Sequence, residues 1–109
     1  MILCLLGTNP YDFSRLAVAL DIVTGNLNLK TIIQLGNTQF KPIHCESYDF
    51  LPAEKVQMLI DSSELVITQG GFGSMTDAIL KDKPLIAVPR SKELMEAQDN
   101  QEELVEYFE

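Results

Sequence analysis

The residues best suited to ligand chemistry form a glycine-rich segment, Gln69-Gly70-Gly71-Phe72-Gly73-Ser74. This segment follows the apolar run 65–68 and precedes a helical pattern over 74–80. Glycines let the backbone approach a ligand, and a helix start offers unpaired amides and a positive dipole end, so the segment predicts a diphosphate site. Its spacing is neither that of a Walker A loop nor that of the dinucleotide fingerprint. The alternative interpretation is a tight strand-to-helix turn that binds nothing.

Ser74 and Asp77 lie three residues apart where that helical pattern begins. This spacing fits a capping box, in which the serine oxygen and the carboxylate satisfy backbone amides of the first turn. It also fits a ligand site, because a carboxylate can accept hydrogen bonds from both hydroxyls of a ribose. Ser74 is able to serve both roles, so the two interpretations remain open.

Three further groups are candidates for binding. Arg90, one of two arginines in the chain, follows an apolar run and either serves solubility or supplies the cation that an anionic ligand needs. Asp99 and Gln101, with Asn100 between them, form either a solvated helix face or a group that binds sugar hydroxyls. His44 is expected to be an exposed strand residue rather than a base, because nothing near it in sequence would orient it.

Short apolar runs alternate with helical patterns along the chain, without repeats or linkers. The predicted α/β fold is therefore a Rossmann-like parallel sheet of about five strands with helices on both faces. The first helix has apolar residues at helical spacing between Phe13 and Val23, and Gly25 is its expected C-cap. The predicted strands cover residues 2–6, 29–34, 43–50, 65–68 and 84–88, and the other predicted helices start near Pro52, Ser74 and Glu93.

Small or polar residues follow four of these strands. Ligands bind to such sheets at the carboxyl ends of the strands, where the strand order reverses. Thr8 therefore joins the candidates, because it comes directly after the first strand. The segments expected to meet at this edge are Gly7-Thr8, Gln34-Leu35-Gly36, 68–74 and Pro89-Arg90.

Length and charge limit the classes of function. The chain has 109 residues, of which 46% are apolar and 22% charged, which suits one domain (1–109) with a buried core. The net charge of -8 disfavours binding to nucleic acid and to an anionic membrane surface. An anionic ligand would therefore be held by backbone amides and a few local cations.

The cysteine content disfavours metal and disulfide chemistry. Cys4 and Cys45 form no CxxC pair, and the chain has a single histidine, so we expect two buried free thiols and no metal site. The apolar run 2–6 is too short for a signal peptide or a membrane span. These observations predict a cytoplasmic location.

The stretch from Gln69 to Gln101 resembles the donor-binding motif of inverting nucleotide-sugar glycosyltransferases built from two Rossmann-like domains. That motif is His-x-Gly-x-x-Ser/Thr-x-x-Glu, then Gly-x-Pro, a strand, Pro, and later Asp and Gln. With the segment 34–42, the chain resembles the family 28 C-terminal domain, in particular its small stand-alone subunits in dolichol-linked GlcNAc transfer and in bacterial exopolysaccharide and capsule synthesis. The matching residues are Gln69, Gly71, Ser74, Asp77, Pro84, Pro89, Asp99 and Gln101.

The resemblance implies the C-terminal half of a GT-B glycosyltransferase that uses a UDP-sugar. It implies that Ser74 and the glycines hold the UDP diphosphate, Asp77 the ribose, Asp99 and Gln101 the hexose, and that Thr8 lines the crevice. It also implies no metal or other cofactor, because the helix dipole and nearby donors stabilise the leaving diphosphate. The acceptor site and the general base would lie on a separate membrane-anchored subunit, which would hold this chain at the membrane and make it active.

The chain departs from the family pattern in four ways. Gln69 replaces the usual histidine and donates without charge assistance, so its hydrogen bond would be about half as strong. Asp77 replaces a longer glutamate, and Asp82-Lys83 replaces Gly-Lys at a turn. Relatives usually continue beyond the position of Glu109 through another strand and helix, so a minimal or truncated domain is expected.

Three functions are consistent with these features. The first is a donor-binding glycosyltransferase subunit that needs a partner. The second is a non-catalytic companion that stabilises a partner glycosyltransferase, which Gln69 and the short C-terminus suggest. The third is a free-standing nucleotide- or phosphate-binding protein of the flavodoxin-like class, which fits the fold but leaves Asp99 and Gln101 without a role.

Overall fold

The computed structural model describes residues 1–7, 12–69, 79 and 81–88. Within these ranges, five strands and two helices have defined bounds, and Ile79 has helical backbone. The remainder of the helix predicted over 74–80 and the helix predicted from Glu93 lie outside the described residues. The elements are β1 (Ile2–Leu5), α1 (Ser14–Leu27), β2 (Thr31–Gln34), β3 (Glu46–Tyr48), α2 (Ala53–Ser62), β4 (Leu65–Gln69) and β5 (Leu85–Val88).

The five strands form one sheet in the order β3-β2-β1-β4-β5, and every neighbouring pair is parallel. The predicted α/β Rossmann-like fold is thus confirmed. The chain builds the sheet outwards from β1 to β3 and then returns to the other side of β1 with β4. The strand order therefore reverses between β1 and β4, which is the position where open parallel sheets bind ligands.

The two sheet faces bury separate apolar clusters because successive strand residues point to opposite sides. On the α1 side, Cys4, Ile33 and Ile67 pack with Phe13 in a first apolar cluster, called cluster one here. Its buried members are Cys4, Leu6, Phe13, Ala17, Leu20, Ile33, Leu35, Cys45 and Ile67. On the α2 side, Leu3, Leu5, Ile32 and Val66 pack with Leu59 and Ile60 in cluster two. The central strand β1 is covered on both faces, which explains its unbroken apolar sequence. All four residues of β2 are buried as well, although that strand begins with Thr31 and ends with Gln34.

The β2–β3 connection differs from its prediction. The third strand was expected over 43–50, but β3 covers only Glu46–Tyr48. The amides of Ile43, His44 and Cys45 instead donate to the buried carboxylate of Asp21 on α1, at 2.7 to 3.2 Å. A helix side chain therefore satisfies amides that a longer strand would have paired, and His44 precedes the strand rather than lying on it.

The end of α1 also corrects a prediction. Gly25 was expected to cap the helix, but α1 continues to Leu27. Asn28 adopts the left-handed conformation, with φ 53°, and its amide donates to the carbonyl of Thr24. Gly25 lies inside the helix, where a Cβ would come within 2.5 Å of His44 Cδ2. The glycine makes room for the imidazole ring, and the asparagine ends the helix.

Two smaller differences from the prediction concern the buried side of α1 and the first residue of β2. Val23 was expected on the buried side of α1, but it is 47% exposed, whereas Asp21 and Thr24 are buried. The second strand was expected from Leu29, but β2 begins at Thr31. The amide of Leu29 still donates to Thr24, so this residue belongs to the helix end.

Candidate functional site

Three residues at the carboxyl ends of neighbouring strands lie in close contact. Gly36 follows β2, Gly7 follows β1, and Gln69 ends β4. Gly36 has φ +59°, and a Cβ on it would collide with the carbonyl oxygen of Gly7. Gly7 has φ +74°, and a Cβ on it would collide with Nε2 of Gln69. Both positions therefore favour glycine, and among the described residues these contacts join backbone of Gly7 and Gly36 with the side-chain amide of Gln69.

Gln69 lies beside Gly7 at the point where the strand order reverses. It is the last residue of β4 and is half-buried. Its side-chain amide reaches across to Gly7 at the end of β1, so it spans the β1–β4 boundary. A primary amide there can donate to an anionic oxygen through Nε2 and accept through Oε1. The geometry therefore places a neutral hydrogen-bonding group at the expected ligand position of this fold.

The segment after β2 is tied to the segment after β3. Leu35 donates to the carbonyl of Tyr48 at 2.8 Å, and Gly36 donates to that of Asp49 at 2.7 Å. The side-chain Oε1 of Gln34 accepts from the amide of Leu51 at 3.1 Å. These contacts continue the β-ladder beyond the strands and hold two rim segments in a fixed arrangement.

A second set of contacts holds the β1–α1 connection against the same rim. The hydroxyl of Thr38 accepts from the amide of Phe13 at 3.0 Å. The Asp12 carboxylate accepts from the amide of Gln39 at 2.7 Å and from the amide and hydroxyl of Ser14. Residues 12–14 are therefore bound to residues 38–39, which fixes the point where the chain leaves the rim to begin α1.

Sequence reasoning missed the roles of Asp12 and Thr38. The spacing Asp12-x-Ser14 before a helical pattern was the available signal, because an aspartate there can accept from first-turn amides. Thr38 belongs to the segment 34–42 that carried part of the family resemblance, yet its role is to position the neighbouring connection. Asp12 and Thr38 therefore hold the backbone next to the rim in place by accepting hydrogen bonds from its amides.

Most of the predicted binding residues lie outside the described part of the chain. Of the ten candidates, the structure describes Gln69. Gly7 directly precedes Thr8 and Gln69 directly precedes Gly70, whereas Val88 lies two residues before Arg90. These three described residues end or follow the adjacent strands β1, β4 and β5. The undescribed candidates are Thr8, Gly70, Gly71, Gly73, Ser74, Asp77, Arg90, Asp99 and Gln101.

An apolar groove lies between α1 and the strands β4 and β5. Its volume is about 250 Å³, and Val23 and Ile86 at its opening are about half exposed. The groove offers side-chain carbon rather than hydrogen-bonding groups, so it does not suit a nucleotide diphosphate. The lining residues are Leu16, Ala19, Leu20, Val23, Ile67, Ile86 and Val88.

Neither metal ligation nor membrane crossing is seen in the described ranges. Residues 1–7, 12–69, 79 and 81–88 contain no group of three or more His, Cys, Asp or Glu side chains that could hold a metal ion. The helices among them are too short or too polar to cross a bilayer.

The family model of the glycosyltransferase family 28 C-terminal domain matches residues 2–108. The chain belongs to this family. No curated protein matches the sequence at a significant level. Membership in family 28 agrees with the parallel Rossmann-like sheet, and it indicates a glycosyltransferase domain that binds the sugar donor.

Proposed function

We propose that this family 28 domain is the donor-binding subunit of a two-component inverting glycosyltransferase. It transfers a hexose or N-acetylhexosamine from a UDP-sugar to a lipid-linked or polysaccharide acceptor. The supporting observation is that Gly36 contacts Gly7 and that Gly7 contacts Gln69, the first residue of the glycine-rich segment, at the carboxyl ends of β2, β1 and β4. The side-chain amide of Gln69 and the glycine-rich sequence that follows it suit a diphosphate, which a chain of net charge -8 must bind locally.

The proposed chemistry is one displacement at the anomeric carbon of the donor. An acceptor hydroxyl forms the new bond, the bond to the UDP oxygen breaks, and the hydroxyl proton goes to a base on the partner subunit. The amides of Gly70 to Ser74 hold the diphosphate, with Gln69 as a neutral donor beside them, and stabilise the charge that develops on it. Asp77 binds the ribose, Asp99 and Gln101 bind the hexose, and Thr8 and Arg90 complete the site. Neither a metal nor another cofactor takes part.

Calorimetric titration of the purified chain tests the donor site. UDP, UDP-GlcNAc, UDP-Gal and UDP-Glc are titrated with and without a chelator, and we expect binding that the chelator does not change. Asp77→Ala should weaken UDP binding by about 1–2 kcal/mol, the usual loss for a charged hydrogen bond. The control is Asp61→Ala, because Asp61 pairs with Lys81 near the C-terminus of α2, at the opposite edge of the sheet.

Two results of this titration contradict the proposal. Wild-type protein that ignores UDP while binding a flavin would favour the flavodoxin-like alternative. Equal effects of Asp77→Ala and Asp61→Ala would remove the ribose-binding role of Asp77. Tighter binding of one UDP-sugar than of the other two would identify the hexose.

Partner dependence is tested by reconstitution. The chain alone should bind UDP without transferring sugar, and addition of a membrane-anchored acceptor-binding subunit should restore transfer and hold the chain at the cytoplasmic membrane surface. The replacement of the family histidine by Gln69 favours a second candidate, a non-catalytic companion. A complex that transfers sugar normally when Asp77 and Gln101 are both alanine would support the companion and contradict the donor-binding role.

A further inference from the structure

The end of the Gln69 side chain lies over the α-carbon of Gly7. A Cβ on Gly7 would collide with Nε2 of Gln69, and it would come within 3.1 Å of Cδ and 3.5 Å of Cγ of the same side chain. Apart from the chain neighbours of Gly7, these are the atoms nearest to that position. Gln69 therefore fills the space that a side chain at residue 7 would need.

The backbone conformation of Gly7 does not by itself account for a glycine. Gly7 has φ +74°, but Asn28 and Asp82 also adopt left-handed conformations in this chain, with φ 53° and 54°. Asparagine and aspartate take this conformation more readily than other residues that carry a Cβ. The glycine thus serves the position of the Gln69 side chain as well as the turn of the backbone.

We infer that Gly7 is a positioning residue for Gln69 in the proposed donor site. The bare α-carbon of Gly7 lets the side-chain amide of Gln69 extend from β4 across the end of β1, where it donates to a diphosphate oxygen. Fixing a glutamine costs much side-chain entropy, so an amide that is already held in the free protein strengthens binding. This inference rests on the proposed function, because it assigns a role within the same site.

A double-mutant cycle on residues 7 and 69 tests the inference. Melting temperature and the dissociation constants for UDP and inorganic pyrophosphate are measured for wild type, Gly7→Ala, Gln69→Ala and the double variant. Gly7→Ala should weaken binding of both ligands about tenfold, because the new Cβ displaces the amide of Gln69. Gln69→Ala should weaken binding by a similar factor. In the Gln69→Ala background, Gly7→Ala should change affinity by less than about twofold.

Asn28→Ala is the control for backbone strain. It also places alanine in the left-handed conformation, but at the end of α1, three residues before β2 begins and therefore at the opposite edge of the sheet. Both Asn28→Ala and Gly7→Ala should lower the melting temperature, and only Gly7→Ala should weaken binding. Gln69→Asn tests the same point without altering Gly7. It keeps the amide on a side chain one methylene shorter, so it should bind as weakly as Gln69→Ala.

The outcomes separate this inference from the proposed function. Unchanged affinity in Gly7→Ala, or wild-type affinity in Gln69→Asn, overturns the inference and leaves the function standing. An equal loss from Gly7→Ala in both backgrounds also overturns it, because residue 7 would then act through the backbone. If wild type binds pyrophosphate but not UDP, the function fails and the pyrophosphate data decide the inference. If wild type binds neither probe, both fail.

Discussion

Asp21 is a buried residue whose side chain pairs with backbone amides that a longer third strand would otherwise have paired. Its carboxylate is 4% exposed and accepts hydrogen bonds from three successive amides of the β2–β3 connection. Burial by itself would raise the pKa of this carboxyl, but the amides of residues 43–45 and the nearby His44 lower it below its ordinary value. The charged form is therefore the one that the fold stabilises.

This residue makes stability sensitive to acid. Because its pKa is lower in the folded state, the ionised Asp21 contributes stability above the unfolded pKa of about 3.9, and that contribution is lost as pH falls through the folded pKa. Asp21→Asn should lower the free energy of unfolding at neutral pH by about 1.5–3 kcal/mol and flatten its dependence on pH below about 4. Urea unfolding from pH 7 to pH 2 measures both effects.

The matched control for this prediction is Glu54→Gln, at an exposed site in the first turn of α2. We expect a small stability change and an acid dependence like that of wild type. Equal slopes for Asp21→Asn and wild type below pH 4 would show that another carboxylate governs acid unfolding.

Asp82 stands at a position where the family pattern has glycine, and its backbone explains that preference. It has φ +54°, and its amide donates to the carbonyl of Ile79 at 3.1 Å. The left-handed conformation is costly for residues with a Cβ, less so for aspartate than for most others. The substitution therefore keeps the turn at a cost in stability.

Exchanges at residue 82 test this interpretation. Asp82→Gly should raise the free energy of unfolding by up to about 1 kcal/mol, because glycine adopts this conformation freely. Asp82→Ala should lower it, because alanine lacks the local hydrogen bonding that makes the conformation tolerable for aspartate. Thermal melts of the three proteins check the order, and an alanine variant as stable as the glycine variant would contradict the backbone explanation.

At the scale of elements, α1 and the β2–β3 connection are fitted to each other. The connection lacks a helix, and it covers the sheet by inserting Cys45 and Phe40 into or against cluster one. Asp21 holds its amides, and Gly25 accommodates the ring of His44. The helix sequence therefore includes a buried charge and an interior glycine that a free-standing helix would not favour.

A double-mutant cycle on Gly25 and His44 measures this fit. In an unconstrained helix, glycine to alanine stabilises by about 1 kcal/mol. In wild type, Gly25→Ala should give less than this or destabilise, because the new Cβ would lie 2.5 Å from the imidazole ring. In a His44→Ala background the gain should return. Identical effects of Gly25→Ala in both backgrounds would mean that the ring moves aside without cost.

At the scale of the whole molecule, both thiols belong to one core. Cys4 is fully buried in the central strand, and Cys45 is 8% exposed at the end of the β2–β3 connection. Burial raises the pKa of both thiols, most strongly that of Cys4, and the nearby Asp21 charge adds to the rise for Cys45. We therefore expect both thiols to react slowly in the folded protein.

Alkylation should occur through two different openings. Cys45 should be labelled by iodoacetamide first, through local opening of residues 43–45, and Cys4 only when the sheet unfolds. Mass spectrometry at increasing urea concentration should show that the rate at Cys4 follows global stability, whereas the rate at Cys45 is less sensitive to urea at low concentrations. Asp21→Asn should accelerate labelling at Cys45 more than at Cys4. Equal rates for the two thiols would contradict separate openings.

The sequence alone determined the fold class and the edge at which polar segments gather. Unbroken apolar runs such as 2–6 indicate strands buried on both faces, and such strands require a parallel sheet covered by helices. The bounds of β1, β4 and β5 were therefore predicted to within a residue or two. Gln69 was expected directly after the fourth strand, and the structure makes it the last residue of that strand, at the same edge of the sheet.

Only the tertiary structure decided those features that depend on contacts between distant parts of the chain. It assigned Gly25 to the interior of α1, gave the helix end to Asn28, shortened the third strand and used Asp21, Asp12 and Thr38 to hold distant amides. Apart from the Asn28 cap, which is local, these outcomes depend on residues more than ten positions apart, whose contacts periodicity does not encode. Local pattern specifies which segments become strands and helices, whereas the pairing of buried polar groups with backbone specifies where those segments end and how their connections are held.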